Sequence, residues 1–334
     1  MNQPLSVMEA EKGVVVVSEA TCEEVIDRAS SFTAVESVFA AMARGDAYNF
    51  PVVREAIGHA DALYGFKSGF DRAGMSLGVK SGGYWPGNVN LGIPNHQSTV
   101  FLFDPDTGRL KAMVGGNYLT AVRTAASSAV SINHLARKDA KVLGMVGAGH
   151  QSKFQLRAAA DQRDFEKVVA WNPHPEMLPG LKAVADELGL PFESVEREEL
   201  CAQADVIITI TSAFEALLMK EWIKPGTHIA CMGTDTKGKQ EVDTALVESA
   251  TLFTDEIVQS ITIGENQHAI ESGAISESDI TPIGDVINGK HPGRSHADEI
   301  TLFDGAGVGL QDLAVASVAV DLALEKDQAQ HVSL

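Results

Sequence analysis

Three cations stand in stretches that hold few other charges: Arg54 in FPVVREA, Lys80 in SLGVKSGG and Arg123 in LTAVRTAASSAV. An Arg or Lys in apolar surroundings needs an anionic partner or a route for its charged head to water. Internal pairing with some of the 45 acidic residues is one reading of each. The other is a shared pocket for a ligand carboxylate, where each charge-assisted hydrogen bond contributes on the order of 1.5–3 kcal/mol. An acid completes the set. Asp235, in CMGTDTKGKQEVD, follows a strand-like run at the position where open α/β sheets place ligand contacts. A carboxylate there either moves a proton or caps a turn.

A second constellation is the turn KVLGMVGAGHQSKFQL, an apolar strand, a glycine turn and the start of a helix. Gly147 and Gly149 fit the first two glycines of G-x-G-x-x-G, and Ser152 stands at the third. The first glycine permits the tight turn, and the second lets the backbone approach a pyrophosphate at the helix N-terminus. The next strand ends VVAWNPHPE. It lacks both the acid that usually contacts the adenosine ribose and an Arg that could clamp a 2′-phosphate. Asn172 is the residue placed to meet a ribose hydroxyl. NAD(H) is therefore expected before NADP(H), with His174 as the only nearby source of positive charge for the latter.

Elements must hold these residues. Residues 22–44 carry apolar side chains at helical spacing. Residues 61–81 read as two strands, 97–114 as a hairpin around DPDTG, and 118–136 as an Ala-rich helix. From about residue 138 short apolar strands alternate with helical segments, which implies a parallel, doubly wound sheet. One more strand, the glycine turn FDGAGVG and a long apolar helix close the chain. Gly305 and Gly307 in that turn either let the backbone approach a nicotinamide or simply start the helix.

The bulk numbers exclude some classes. A formal charge of −19 over 334 residues, with no block of Lys and Arg, argues against nucleic acid or an anionic membrane as a main partner. No stretch approaches the roughly 20 apolar residues of a membrane span, and the first twenty residues do not read as a signal peptide. Cys22, Cys201 and Cys231 lie far apart, so reduced thiols and a cytoplasmic setting are expected.

Taken together, VFLFDPDTGRLKAMVGGNYLTAVRTAA, LGMVGAGHQ, GTDTKGKQEVD and LFDGAGVGLQDLA make the chain resemble the ornithine cyclodeaminase/μ-crystallin family over roughly residues 53–324. The resemblance implies an α/β fold in which a Rossmann domain, residues 137–304, is inserted into a second, α+β domain. That second domain, residues 1–136 and 305–334, would bind substrate and form a homodimer. It also implies that Arg54, Lys80 and Arg123 bind the substrate carboxylate, with Lys80 among the catalytic groups. Asp235 would handle protons at the reacting carbon or nitrogen. Gly147, Ala148, Gly149, His150 and Gln151 would form the pyrophosphate turn. The family includes imine-reducing oxidoreductases, an alanine dehydrogenase, a lyase that recycles NAD within one turnover, and a crystallin that binds a hormone. The chain departs from the family pattern at YGFKSGF, which adds Lys67. That residue is either an exposed strand lysine or a cation for a second carboxylate, which would favour a small dicarboxylic imino or amino acid over pyruvate or ornithine. His96, in IPNHQST, is either a second proton donor or a satisfied strand histidine.

Overall fold

The computed structural model describes residues 13–333. Among these, residues 13–123 and 308–333 form one compact unit and Thr124–Gly307 a second. The boundaries expected at 136/137 and 304/305 fall instead at 123/124 and 307/308, for two reasons. Helix Asn117–Leu135 runs on from the first unit into the second. The turn after residue 304 is bonded back into the second unit, with Gly305 N donating to Cys231 O at 2.9 Å and Gly307 N to Asp255 Oδ2 at 2.8 Å.

The first unit is built on a sheet of β1 (Val14–Val17), β2 (Ala47–Asn49), β3 (Val53–Ala56), β4 (Leu63–Asp71), β5 (Ser76–Tyr84), β6 (His96–Phe103), β7 (Leu110–Gly115) and the C-terminal strand Gln330–Val332. The neighbours run Gln330–Val332, β1, β7, β6, β5, β4, β2, with β3 also on β4. All pairs are antiparallel except β1 with β7. Glycines open one face to the helix Gly309–Glu325. Gly69 and Gly78 are cross-strand partners, and a Cβ on either would lie 3.0 Å and 2.9 Å from the side chains of Leu310 and Leu313. The expected helix over residues 22–44 is two helices, Glu19–Val25 and Arg28–Arg44. The break is a capping box, in which Asp27 accepts from Ser30 N at 2.7 Å while its own N–H donates to Ser30 Oγ.

The second unit carries β8 (Val142–Val146), β9 (Lys167–Trp171), β10 (Phe192–Ser194), β11 (Val206–Thr209), β12 (Phe214–Leu218), β13 (His228–Cys231), β14 (Gln240–Val242), β15 (Thr251–Thr254), β16 (Ile280–Pro282) and β17 (Thr301–Asp304). Eight of these form one parallel sheet in the order β10-β9-β8-β11-β13-β17-β15-β16, while β12 and β14 pair separately. Strand order reverses between β8 and β11, the switch point where such sheets bind ligands. The central strands are mostly apolar, as expected where both faces of a parallel sheet are covered; Val146, Val169, Ile207, Ile229 and Leu302 belong to one buried cluster. Each such side chain contributes roughly 1.5–3 kcal/mol through burial. The three cysteines are buried and free. No helix among the described residues is long and apolar enough to cross a membrane.

Candidate active site

Directly opposite residues of an antiparallel pair share a face, as do residues two apart on a strand. In the first unit Arg54 stands opposite Gly65, Lys67 opposite Lys80, and His96 opposite Tyr84. These pairings put Arg54, Lys67, Lys80 and His96 on one face, the face on which helix Gly309–Glu325 packs. A Cβ on Gly309 would sit 2.9 Å from the backbone of Lys67 and Ser68, so the helix begins in direct contact with β4.

That contact delivers Asp312, which is fully buried. Its Oδ1 accepts from Lys80 Nζ at 2.8 Å and from Arg123 Nε at 3.1 Å. Lys80 Nζ also donates to Thr120 Oγ1 at 3.3 Å, and Arg123 Nη1 to Gln311 Oε1 at 2.9 Å. Arg123 and Thr120 come from helix Asn117–Leu135, whose first N–H groups are capped by Glu19: Asn117 N and Tyr118 N donate to its carboxylate at 2.7 Å and 3.0 Å.

The charges act on one another. Burial pulls Lys80 from 10.5 down to about 7; Asp312 opposes the fall, and Arg123 and Lys67 add to it. Burial would raise Asp312, but the Arg123, Lys80 and Lys67 charges outweigh it and hold the carboxyl below its ordinary value. Burial, followed by the Lys80 charge, lowers His96 to about 4. His96 is thus neutral near pH 7 and can donate through one ring nitrogen but not serve as a cation. Arg54, by contrast with Lys80 and Arg123, is exposed on β3.

In the second unit the turn after β8 has the geometry expected of a dinucleotide site. Gly147 has φ +110°, and a Cβ there would lie 2.5 Å from Ile210 O, beyond β11. Gly149 is the N-cap of helix His150–Ala160 and has open space where a Cβ would be. The first helical N–H groups, those of His150 and Gln151, have no intrahelical acceptor, the arrangement that suits an anion. Gln151 Oε1 is buried without a partner, which leaves a polar atom for a ligand to satisfy. Ser152, at the third-glycine position, is buried and donates to Gly149 O at 2.6 Å. Asn172 is tied into this turn. Its Oδ1 accepts from Ala148 N at 3.0 Å and its Nδ2 donates to His174 O at 2.8 Å, so the amide holds the glycine turn in shape.

A family model for the ornithine cyclodeaminase/mu-crystallin family matches residues 11–327. The chain belongs to this family. An iminosuccinate reductase of Paracoccus denitrificans is 62% identical over 96% of this chain and 100% of that protein. The crystal structure of the Paracoccus denitrificans iminosuccinate reductase in complex with NAD+ superimposes with a TM-score of 0.94, covering 96% of this chain and 100% of the other at 61% identity. An archaeal alanine dehydrogenase dimer with bound NAD gives 0.90, with 96% and 99% coverage at 30% identity.

Asp235 lies in the loop between β13 and β14. Its side chain is 39% exposed and accepts from Lys239 Nζ at 2.7 Å and Thr236 Oγ1 at 3.1 Å. The loop is pinned by acids that the sequence pattern does not single out. Glu241 accepts from Thr209 Oγ1, Thr211 N and Gly233 N at 2.7–2.9 Å. Glu265 accepts from Glu241 N and Val242 N, each at 2.8 Å. Burial and then the Glu241 charge push Glu265 up to about 8. Asp304, on β17, is raised to about 7 by burial, with the Asp255 charge adding to it. Gly305 and Gly307 have internal reasons to be glycine. A Cβ on Gly305 would meet Met232 at 2.6 Å, and Gly307 has φ +78° and donates to Asp255.

Proposed function

We propose that this chain is an NADH-dependent imine reductase that converts iminosuccinate to L-aspartate in the cytoplasm. The observation that carries this reading is the cation cluster of the first unit: Lys67 opposite Lys80, with Arg123 beside them, against the single buried carboxylate of Asp312. Such a cluster of cations suits a dianionic substrate. The 62% identity to an iminosuccinate reductase along almost the whole chain supports it.

Gly147, Ala148, Gly149, His150 and Gln151 would hold the pyrophosphate of the cofactor, and the open position at Gly149 and the unpartnered Gln151 Oε1 fit that role. The absence of an Arg beyond Asn172 favours NAD(H) over NADP(H). Bound NADH supplies the hydride that the imine carbon accepts. Lys80 and Arg123 hold the α-carboxylate, with Arg54 closing from β3, and Lys67 holds the distal carboxylate. Asp235 stabilises the protonated imine nitrogen and manages its proton, and His96 offers a neutral N–H donor. Gly305 and Gly307 would allow backbone approach at the nicotinamide end. Fixing both carboxylates orients the imine carbon and so supplies much of the rate.

The chain would act as a homodimer. The face of the first sheet opposite the cations exposes Tyr48, Val53, Tyr64 and Phe66, each 36–45% accessible. A contiguous aromatic surface of that kind suits burial against a second copy. The deciding assay follows NADH oxidation with iminosuccinate and with pyruvate plus ammonia, and ammonia release from ornithine in the presence of NAD. Iminosuccinate should be turned over fastest; no turnover of it would sink the reading.

A further inference from the structure

We propose that Asp312 is the positioning residue of the carboxylate pocket: it gathers Lys80 and Arg123 on one oxygen and thereby sets which of their N–H groups remain for the substrate. The proposal rests on the reading that these two cations bind the substrate carboxylate.

The argument starts from hydrogen-bond inventory. An ammonium has three donors and a guanidinium five. Lys80 gives one to Asp312 Oδ1 and one to Thr120 Oγ1. The Thr120 hydroxyl is itself committed to Gly116 O at 2.7 Å, so it can only accept from Lys80. Arg123 gives Nε to the same Asp312 oxygen and Nη1 to Gln311. What remains is one Lys80 N–H and the outer edge of the guanidinium, held on a common anchor. Asp312 Oδ2 is buried and takes no hydrogen bond. Convergence on the one oxygen draws Lys80 and Arg123 together.

The groups facing Lys80 are Lys67 from β4, His96 from β6, Thr120 and Arg123 from helix Asn117–Leu135, and Asp312 from helix Gly309–Glu325. Asp312 is the anion bonded to Lys80 and Arg123. Without it the buried Lys80 and Arg123 charges would confront each other beside the half-buried Lys67, and Lys80 is the one that can shed its proton. Asp312 therefore also opposes the loss of the Lys80 proton.

The test uses the full chain with NADH binding as the check of folding. Acetylation of Lys80 by acetic anhydride is followed across pH by peptide mass spectrometry, which reads its protonation without any substrate. Asp312→Asn should move the midpoint at least about one pH unit acidwards, as expected for loss of a carboxylate at this range. The KM for iminosuccinate should then rise about twofold at pH 6 and about tenfold at pH 8. Asp312→Glu keeps the charge but displaces both cations by a methylene; it should leave the midpoint near the wild-type value while raising KM severalfold. An unmoved midpoint in folded Asp312→Asn, or an unaltered KM in Asp312→Glu, overturns the proposal. A moved midpoint in an enzyme that does not turn over iminosuccinate counts against the proposed substrate and leaves the role of Asp312 standing.

Discussion

Lys67 and Lys80 stand directly opposite each other on neighbouring antiparallel strands, with Lys80 only 8% exposed. Like charges in that register are destabilising, by roughly 0.2–1 kcal/mol. A dianion relieves the repulsion. Lys67→Ala should therefore raise the KM for iminosuccinate about tenfold to a hundredfold, the loss of one charge-assisted bond. The imine of pyruvate should lose much less. Equal losses on both imines in steady-state assays would remove the argument for a second carboxylate.

Binding should take up a proton. Free Lys80 titrates near 7 because it is buried among cations. A substrate carboxylate beside it favours the charged form and raises that value. At pH 8, calorimetry in buffers of different ionisation enthalpy should show net proton uptake when a dicarboxylate such as succinate binds. At pH 5.5 Lys80 is already protonated and the uptake should vanish. Folding carries the matching sign. The unfolded chain holds this proton up to about 10.5 and the folded chain only to about 7, so this group's contribution to stability improves as pH rises through that window.

The sequence exposed some of this site and hid the rest for physical reasons. The glycine turn was legible because its requirements are local: a left-handed residue, a bare approach and a helix start within a few positions. Lys80 and Arg123 were legible as cations in apolar stretches. Asp312 was not, because an acid in GLQDLA looks like an exposed helical residue, and its partner Lys80 is 232 positions away. Asn172 was placed at the right strand end, but which bond its amide makes depends on the folded turn. Arg54 was expected with the other cations; it shares their face, yet an edge strand leaves it exposed. The helix break at Asp27 had a usable signal, since an Asx residue three before Ser30 is a capping pattern that periodicity alone overrides.

Asp304 offers a pH test within the second unit. Its Oδ2 accepts from Ser260 Oγ at 2.6 Å and Glu265 N at 2.9 Å, while Oδ1 is buried without a hydrogen bond. Burial raises it from 3.8 to about 7. The folded protein keeps a proton that the unfolded chain has lost, so stability from this group is full below 3.8 and falls as pH rises through 7. Asp304→Asn keeps an acceptor and removes the titration. Its melting temperature relative to wild type should climb between pH 5 and 7 and level off above. A constant difference across that range in thermal melts would contradict a raised Asp304.

The two turn glycines should separate stability from cofactor affinity. Gly147 adopts φ +110°, and a Cβ would come 2.5 Å from Ile210 O, a backbone atom that cannot move aside cheaply. Gly147→Ala should cost about 1–3 kcal/mol of stability even without cofactor. Gly149 has φ −74°, and nothing lies within 4 Å of where a methyl would stand. Gly149→Ala should therefore leave the melting temperature of the free protein almost unchanged. If the pyrophosphate approaches the backbone there, the same methyl blocks it, and NADH affinity measured by fluorescence titration should fall tenfold or more, about 1.4 kcal/mol. An unchanged NADH affinity in Gly149→Ala would place the pyrophosphate elsewhere, whatever Gly147→Ala does to the fold.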